Sequence, residues 1–159
     1  MKVKDIMTRD VQTCSPESNL TEATMLMWDH DCGSIPVVNS EGKVVSMITD
    51  RDISVSLAMK NRLSSEVKVR EAMSKTLFSC GEDNDVKSVL DTMRVHQIRR
   101  LPVVDTQGKL RGILSINDLI LEAGPKNADL SQDKVMETLK AICAPHRKEA
   151  PREPVGSRR

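Results

Sequence analysis

Apolar positions along this 159-residue chain switch between strand-like and helix-like rhythms, and the whole succession occurs twice. In the first half a short extended piece, Val11 to Cys14, gives way to polar SPESN. Leu20, Ala23, Met27 and Trp28 then return at helical spacing. Two brief apolar runs follow, IPVV and VVSMI, separated by a polar segment containing Gly42, which is the signature of a hairpin. Thr49 ends the second run and DRDISVSLAM starts another helix. The second half repeats this with Leu77 to Cys80, polar GEDND, the stripe Val86, Val89, Leu90 and Met93, the runs LPVV and LRGIL, Ser115, and INDLILEA. Asn19 with Glu22, and Asp85, stand where a side-chain oxygen caps the first-turn amides of a helix. Each half therefore predicts strand, helix, strand, strand, helix.

A shift of 66 positions superimposes the halves without a gap. VKDIM (Val3 to Met7) falls on VREAM (Val69 to Met73), SIPVV on RLPVV, and Gly42-Lys43 on Gly108-Lys109. Residues 3–53 and 69–119 share 11 identities in 51 pairs, where unrelated segments of this composition would give about three. The chain is an internal duplication, too short to hold a separate catalytic domain as well. Beyond Glu122, Gly124-Pro125 ends the repeat. A further helix is expected from near Ser131, with Leu130, Val135, Met136, Leu139 and Ile142 on one apolar stripe. The charged, proline-rich 145–159 is expected to be disordered.

Charge narrows the function. Lys and Arg number 24 against 23 Asp and Glu, so no global field draws the chain to nucleic acid or to an anionic membrane. Trp28 and Phe78 are the only Trp, Tyr or Phe residues, too few for a base-stacking platform, so the core falls to aliphatic residues and nine Met. Neither a signal-like apolar core at the start nor a run of about 18 apolar residues occurs, and a soluble cytoplasmic protein is expected. Cys14, Cys32, Cys80 and Cys143 form no Cys-x-x-Cys pair, which agrees with a reducing compartment. Cys14 and Cys80 coincide under the repeat and read as small buried fillers. His30 and His96 also coincide, each at the end of a first helix, where a histidine meets the last carbonyls or water.

In these features the sequence resembles the CBS domain family, named after cystathionine β-synthase, over 3–122. The carriers are VKDIM-T and VREAM-S, the LPVVD-type strand entry, and the segments Ser46-Met47-Ile48-Thr49-Asp50-Arg51-Asp52 and Gly112-Ile113-Leu114-Ser115-Ile116-Asn117-Asp118. The resemblance implies an α+β fold in which two βαββα repeats, 1–62 and 63–123, associate with pseudo-two-fold symmetry, followed by a C-terminal helix within 124–144. It implies two clefts for an adenine-containing regulatory ligand such as AMP, ADP, ATP or NAD, with no required cofactor. It also implies a homodimer that signals to an unidentified target protein.

Site residues carry over from the same resemblance. Thr49 with Asp52, and Ser115 with Asp118, stand where the family grips ribose and phosphate. By themselves they read first as helix caps, hydroxyl to amide and acid at the positive end of the helix, and the resemblance turns this toward ligand binding. Asp52 would share its ligand with Lys75, Ile98 and Arg99, and Asp118 with Arg9, Cys32 and Gly33. With Arg51, Arg99 and Arg100 nearby, the Asp52 cleft is expected to tolerate more phosphate charge. Ser46 replaces the glycine found at Gly112, which puts close backbone approach in the Asp52 cleft in doubt. Asn117 replaces Arg51 in the second copy. No Ser-His-Asp order, P-loop, Gly-x-Gly-x-x-Gly or metal-ligand cluster is present, so the chain is not expected to be an enzyme. A ligand-independent dimerisation or interaction module is the alternative.

Overall fold

The computed structural model describes residues 1–124 and 130–145. The first repeat comprises α1 (Leu20–Asp29), the hairpin β1 (Ser34–Val38) and β2 (Val44–Thr49), and α2 (Asp50–Lys60). The second comprises β3 (Cys80–Gly81), α3 (Val86–His96), β4 (Arg100–Val104), β5 (Leu110–Ser115) and α4 (Ile116–Glu122). Helix α5 (Gln132–Cys143) follows. This is the expected α+β arrangement of two βαββα-like repeats with a following helix.

Local chemistry accounts for the boundaries. Asn19 Oδ1 accepts from Glu22 N at 2.9 Å, Asp85 Oδ1 from Lys87 N at 2.9 Å, and Ser131 opens α5 by accepting from Lys134 N at 3.4 Å. Both hairpins turn the same way. Asn39 Oδ1 accepts from Glu41 N and Lys43 N, and Asp105 Oδ1 does the same for Gln107 N and Lys109 N. Gly42 and Gly108 then take φ of +78° and +79°, a left-handed conformation that favours glycine. The opening strands are shorter than expected. The first is a single bridge from Cys14 to Val37, and the second is only Cys80–Gly81, parallel to β4.

The cause is an exchange between the repeats. Thr8 N donates to Ile113 O at 3.0 Å and Ile113 N to Thr8 O at 2.9 Å, so the leading segment of repeat 1 is an edge partner of β5 in repeat 2. The reciprocal contact has Ser74 N donating to Met47 O of β2 at 3.0 Å. Val3 N bonds Asn84 O, and Val69 N bonds Ser18 O. Between its lead and its own sheet each segment must cross the molecule, and only its last residues remain to pair. Glu17 clamps one exchanged lead through Lys68 and Arg70, while Asp83 clamps the other through Lys4 at 2.7 Å. The Lys68 hydrogen bond holds the Glu17 carboxyl below its ordinary range, and Lys4 does the same for Asp83.

Two helix-side cores result, and each contains residues of the other repeat. Val67 and Val69 join Leu20, Ala23, Met27, Ile35, Val37, Ile48 and Ile53. Val3 and Met7 join Val86, Val89, Leu90, Met93, Leu101, Val103, Leu114 and Leu119. Helix α5 lies against α3 and α4 and adds Val135 and Ile142 to the second core, with Leu130 just before it. Gln97 Nε2 closes its far end by donating to Ala141 O and Ala144 O. Two stripe members are corrected: Trp28 is 85% exposed, and Met136 faces solvent while Thr138 is buried in the helix interface. Each lies at the margin of its stripe, where one 100° helical step carries a side chain past the core. The expectation of disorder for the tail falls, beyond Pro145, outside the described residues.

The exchanged lead also explains Ser46 and Gly112. A Cβ on Gly112 would stand 2.6 Å from Thr8 O, so the room a glycine leaves is taken by the lead backbone. In repeat 1 the buried Ser46 meets the equivalent carbonyl by donating its hydroxyl to Ser74 O at 2.6 Å. Gly112→Ala should destabilise the protein by about 1–3 kcal/mol through overpacking, whereas Ser46→Gly should cost about 1 kcal/mol for a lost hydrogen bond. Urea unfolding of both variants checks the order, and an unaffected Gly112→Ala protein would contradict the seating of the lead. Burial pushes the Cys14 and Cys80 thiols up to about 11. A thiol reagent at mildly alkaline pH should label exposed Cys143 first and reach Cys14 and Cys80 only on unfolding.

Candidate functional site

The two Thr/Ser-x-x-Asp elements form the same closed box. Asp52 N donates to Thr49 Oγ1 at 3.1 Å, and Asp52 Oδ2 accepts from Thr49 N at 3.0 Å and Thr49 Oγ1 at 2.7 Å. Asp118 N donates to Ser115 Oγ at 3.3 Å, and Asp118 Oδ2 accepts from Ser115 N and Ser115 Oγ, both at 2.7 Å. The capping role is therefore realised in full. In both carboxylates Oδ1 takes no hydrogen bond among the described residues, so one acceptor oxygen per helix start remains available. All four side chains are partly exposed.

Asp52 opens on a cavity of about 530 Å³, bounded by α2 and by the exchanged start of repeat 2. Arg51, Ser56, Lys60, Glu71 and Ala72 contribute to its lining. Asp52 thus shares a hollow with the lead segment that continues to Lys75. Ser56 Oγ is buried there without a hydrogen-bond partner. Glu71 is held below the ordinary carboxylate range by the backbone amide of Lys68 and by Lys60.

The strand-entry residues abut the helix starts of their own repeats. Gly33 O accepts from Asp50 N at 3.2 Å, and Arg99 O accepts from Ile116 N at 2.9 Å. Cys32 and Gly33 line a groove of about 390 Å³ between α1 and α2. Ile98 packs at the margin of the second core. Arg9 is already engaged: its guanidinium donates to Glu82 Oε1 at 3.2 Å and Lys4 O at 3.1 Å, and Arg111 holds the other oxygen of Glu82. Its counterpart Lys75 is exposed and makes no ion pair among the described residues. The same is true of Arg51 and Arg99, and Arg100 is half-buried and likewise unpaired. His30 and His96 are both exposed, and the His96 ring stacks on Phe78 at 3.9 Å.

A further polar group was not singled out from the sequence. Ile35 and Val37 belong to the helix-side core, so strand alternation turns Ser34 and Pro36 to the opposite face of the sheet. There β2 of one repeat approaches β4 of the other, and Lys43 bridges Lys109. Ser34 is buried, lies directly across from Thr49, and its Oγ has no hydrogen-bond partner. The repeat equates it with Arg100, which lies across from Ser115. Only the pairing of Ser34 with an unlike residue under the repeat could have drawn attention to it.

Among the described residues no group of His, Cys, Asp and Glu could hold a metal ion, and no helix is long and apolar enough to cross a membrane. The sequence matches the CBS domain over residues 3–58 and 69–124. It is 39% identical over 139 residues to the uncharacterized protein YlbB of Bacillus subtilis, covering 82% of this chain and 92% of that one. It is 42% identical over 117 residues to the CBS domain-containing protein YhcV of the same organism, covering 74% and 81%. The crystal structure of the conserved CBS domain protein TA0289 of Thermoplasma acidophilum superimposes with a TM-score of 0.75 at 25% identity, covering 89% of this chain and 75% of that one. The CBS domain pair of protein MJ0100, solved in complex with 5'-methylthioadenosine and S-adenosyl-L-methionine, gives 0.68 at 28% identity, covering 75% and 92%. CBS domains are regulatory, non-catalytic modules. With both repeats matched and the exchanged βαββα-like pair in place, this chain belongs to the CBS domain family.

Proposed function

We propose that the protein is a sensor of an adenine nucleotide, AMP, ADP, ATP or NAD, whose occupancy is passed to a target protein by a homodimer. The observation that carries this reading is the doubled box with one unused carboxylate oxygen at the start of both α2 and α4. A ribose diol needs such an acceptor, and a charge-assisted hydrogen bond supplies it. The MJ0100 pair, of similar fold, was solved with two adenosine-containing ligands, which supports the ligand class. Thr49, Asp52, Arg51, Lys75, Ile98 and Arg99 are assigned to one cleft. Ser115, Asp118, Arg9, Cys32 and Gly33 are assigned to the other, with Ser34 now added on the face between the sheets.

The clefts differ in charge. Among the described residues Arg51, Lys75 and Arg99 make no ion pair, whereas Arg9 is held by Glu82. The cleft of Asp52 should therefore prefer the more highly phosphorylated ligand, since a guanidinium fork grips phosphate oxygens in pairs. The completeness of both caps within the chain itself supports the alternative, an interaction module that binds no nucleotide.

Titration calorimetry with AMP, ADP, ATP, NAD and S-adenosylmethionine separates the readings. Asp52→Ala and Asp118→Ala should each abolish or weaken one site by about 10–100-fold, the range for a charged hydrogen bond. Each should also lower stability by about 1 kcal/mol through the lost cap. Arg99→Ala should reduce ATP affinity more than AMP affinity. Unchanged affinity and stoichiometry in both Asp variants would remove the boxes from the site. Absence of binding and of any thermal shift with all five compounds would leave the interaction module.

A further inference from the structure

Each lead is clamped to the other repeat by an equivalent ion pair, Glu17 with Arg70 and Asp83 with Lys4, as the shift of 66 residues requires. A second carboxylate beside the lead of repeat 1 has no counterpart. Glu82 Oε1 accepts from Arg9 at 3.2 Å and Glu82 Oε2 from Arg111 at 3.3 Å, so two guanidiniums converge on one acid. Under the repeat these three positions become Lys75, Pro16 and Val45, which cannot form such a cluster. The shared clamp is complete without Glu82, and the cluster is an addition to one repeat alone. Its place is also specific. Leu114 of β5 turns to the helix-side core, so alternation puts Arg111, Ile113 and Ser115 on the opposite face of the strand. Thr8 pairs with Ile113, and Arg9 follows it along the same edge. The cluster therefore lies beside the strand that ends in the box of Ser115 and Asp118.

We propose that the Glu82 carboxylate is an internal competitor: it occupies an anion site made by Arg9 and Arg111, and so keeps phosphate out of the cleft of Asp118. The inference rests on the assignment of Arg9 to that cleft, and adds the residue that sets which class of ligand the cleft takes. Two guanidiniums around one acid leave an excess of positive charge, and a guanidinium fork matches a phosphate as well as a carboxylate. A second Arg9 nitrogen donates to Lys4 O at 3.1 Å and holds the fork beside Glu82. Exchange is nevertheless open. The side chains of Arg9 and Arg111 are more than half exposed, and ion pairs between exposed groups are weak. A ligand phosphate gains Arg9 by displacing Glu82, whereas a ligand without phosphate meets no such competition. The cleft of Asp118 is thereby biased toward adenosine-type ligands of low negative charge. In the other lead Lys75 is exposed and, among the described residues, makes no ion pair, so that bias is confined to one cleft.

Titration calorimetry of the full chain carrying Asp52→Ala, which leaves the Asp118 box as the sugar site, tests this with and without Glu82→Gln. The Gln variant keeps the side-chain shape and the backbone carbonyl that accepts from Lys4 N, so it should melt as its parent does. Its affinity for ATP should rise by about 10-fold or more, the low end for a charged hydrogen bond, while its affinity for uncharged adenosine stays the same. Tripolyphosphate, which has no sugar, should show a gain as well. Adding Arg9→Gln should cancel both gains. No gain with either polyphosphate, an equal gain with adenosine, or a gain that survives Arg9→Gln would each overturn the proposal. Failure of the sugar reading looks different: adenosine would bind neither protein, yet the Arg9-dependent gain with tripolyphosphate would persist and uphold the anion site behind Glu82.

Discussion

The structure depends on the reciprocal pairing of each lead segment with the last strand of the other repeat. Thr8 with Ile113 and Ser74 with Met47 add an edge partner to sheets that would otherwise have only two or three strands. Sheets of that size are marginal in isolation. The leads also carry Val3 and Val69 into the opposite cores, where both are fully buried. Neither half can then complete its core without the other, and two half-size units become one cooperative body.

The same pairing builds the candidate site. The hollow at Asp52 is closed on one side by Glu71 and Ala72, which reach it because the second lead crosses to repeat 1. Fold and cleft therefore share one set of hydrogen bonds. Ser46 and Gly112 illustrate how closely: each is the residue that lets a lead lie against a strand, one by hydrogen bonding its carbonyl and the other by leaving space. The usual reading of such a glycine, room for a ligand, gives way here to room for the chain itself.

What could be read from the sequence was what neighbouring residues decide. Caps, hairpin turns and the helix at Ser131 depend on side-chain oxygens and glycines a few residues from their partners, and these were found where the spacing put them. The capping boxes at Thr49 and Ser115 belong to the same class. The exchange of leads was not legible, because VKDIM would show the same pattern beside either sheet. Ser34 was missed for a related reason: its significance comes from the sheet face it occupies, and alternation alone does not say which face meets the other repeat. Trp28 and Met136 were misplaced because a stripe read at helical spacing has edges one residue wide, and on α5 the interface position went to Thr138.

The two boxes also differ in what stands behind them. Each fixes its helix start with Asp Oδ2 and leaves Oδ1 over, so on the proposed reading a sugar engages the very carboxylate that seats the helix. At Asp52 that helix is α2, which bears Val55 and Met59 on the uncovered face. At Asp118 it is α4, about two turns long before Ala123, and α5 lies against it. A ligand biases only a difference between states. On the proposed reading, the element behind Asp52 is a helix whose outer side chains Val55 and Met59 are exposed, whereas the element behind Asp118 is a helix against which α5 of the same chain is docked. On that reading the two boxes have different outlets, and the asymmetry arises from the covering of repeat 2 rather than from the boxes themselves.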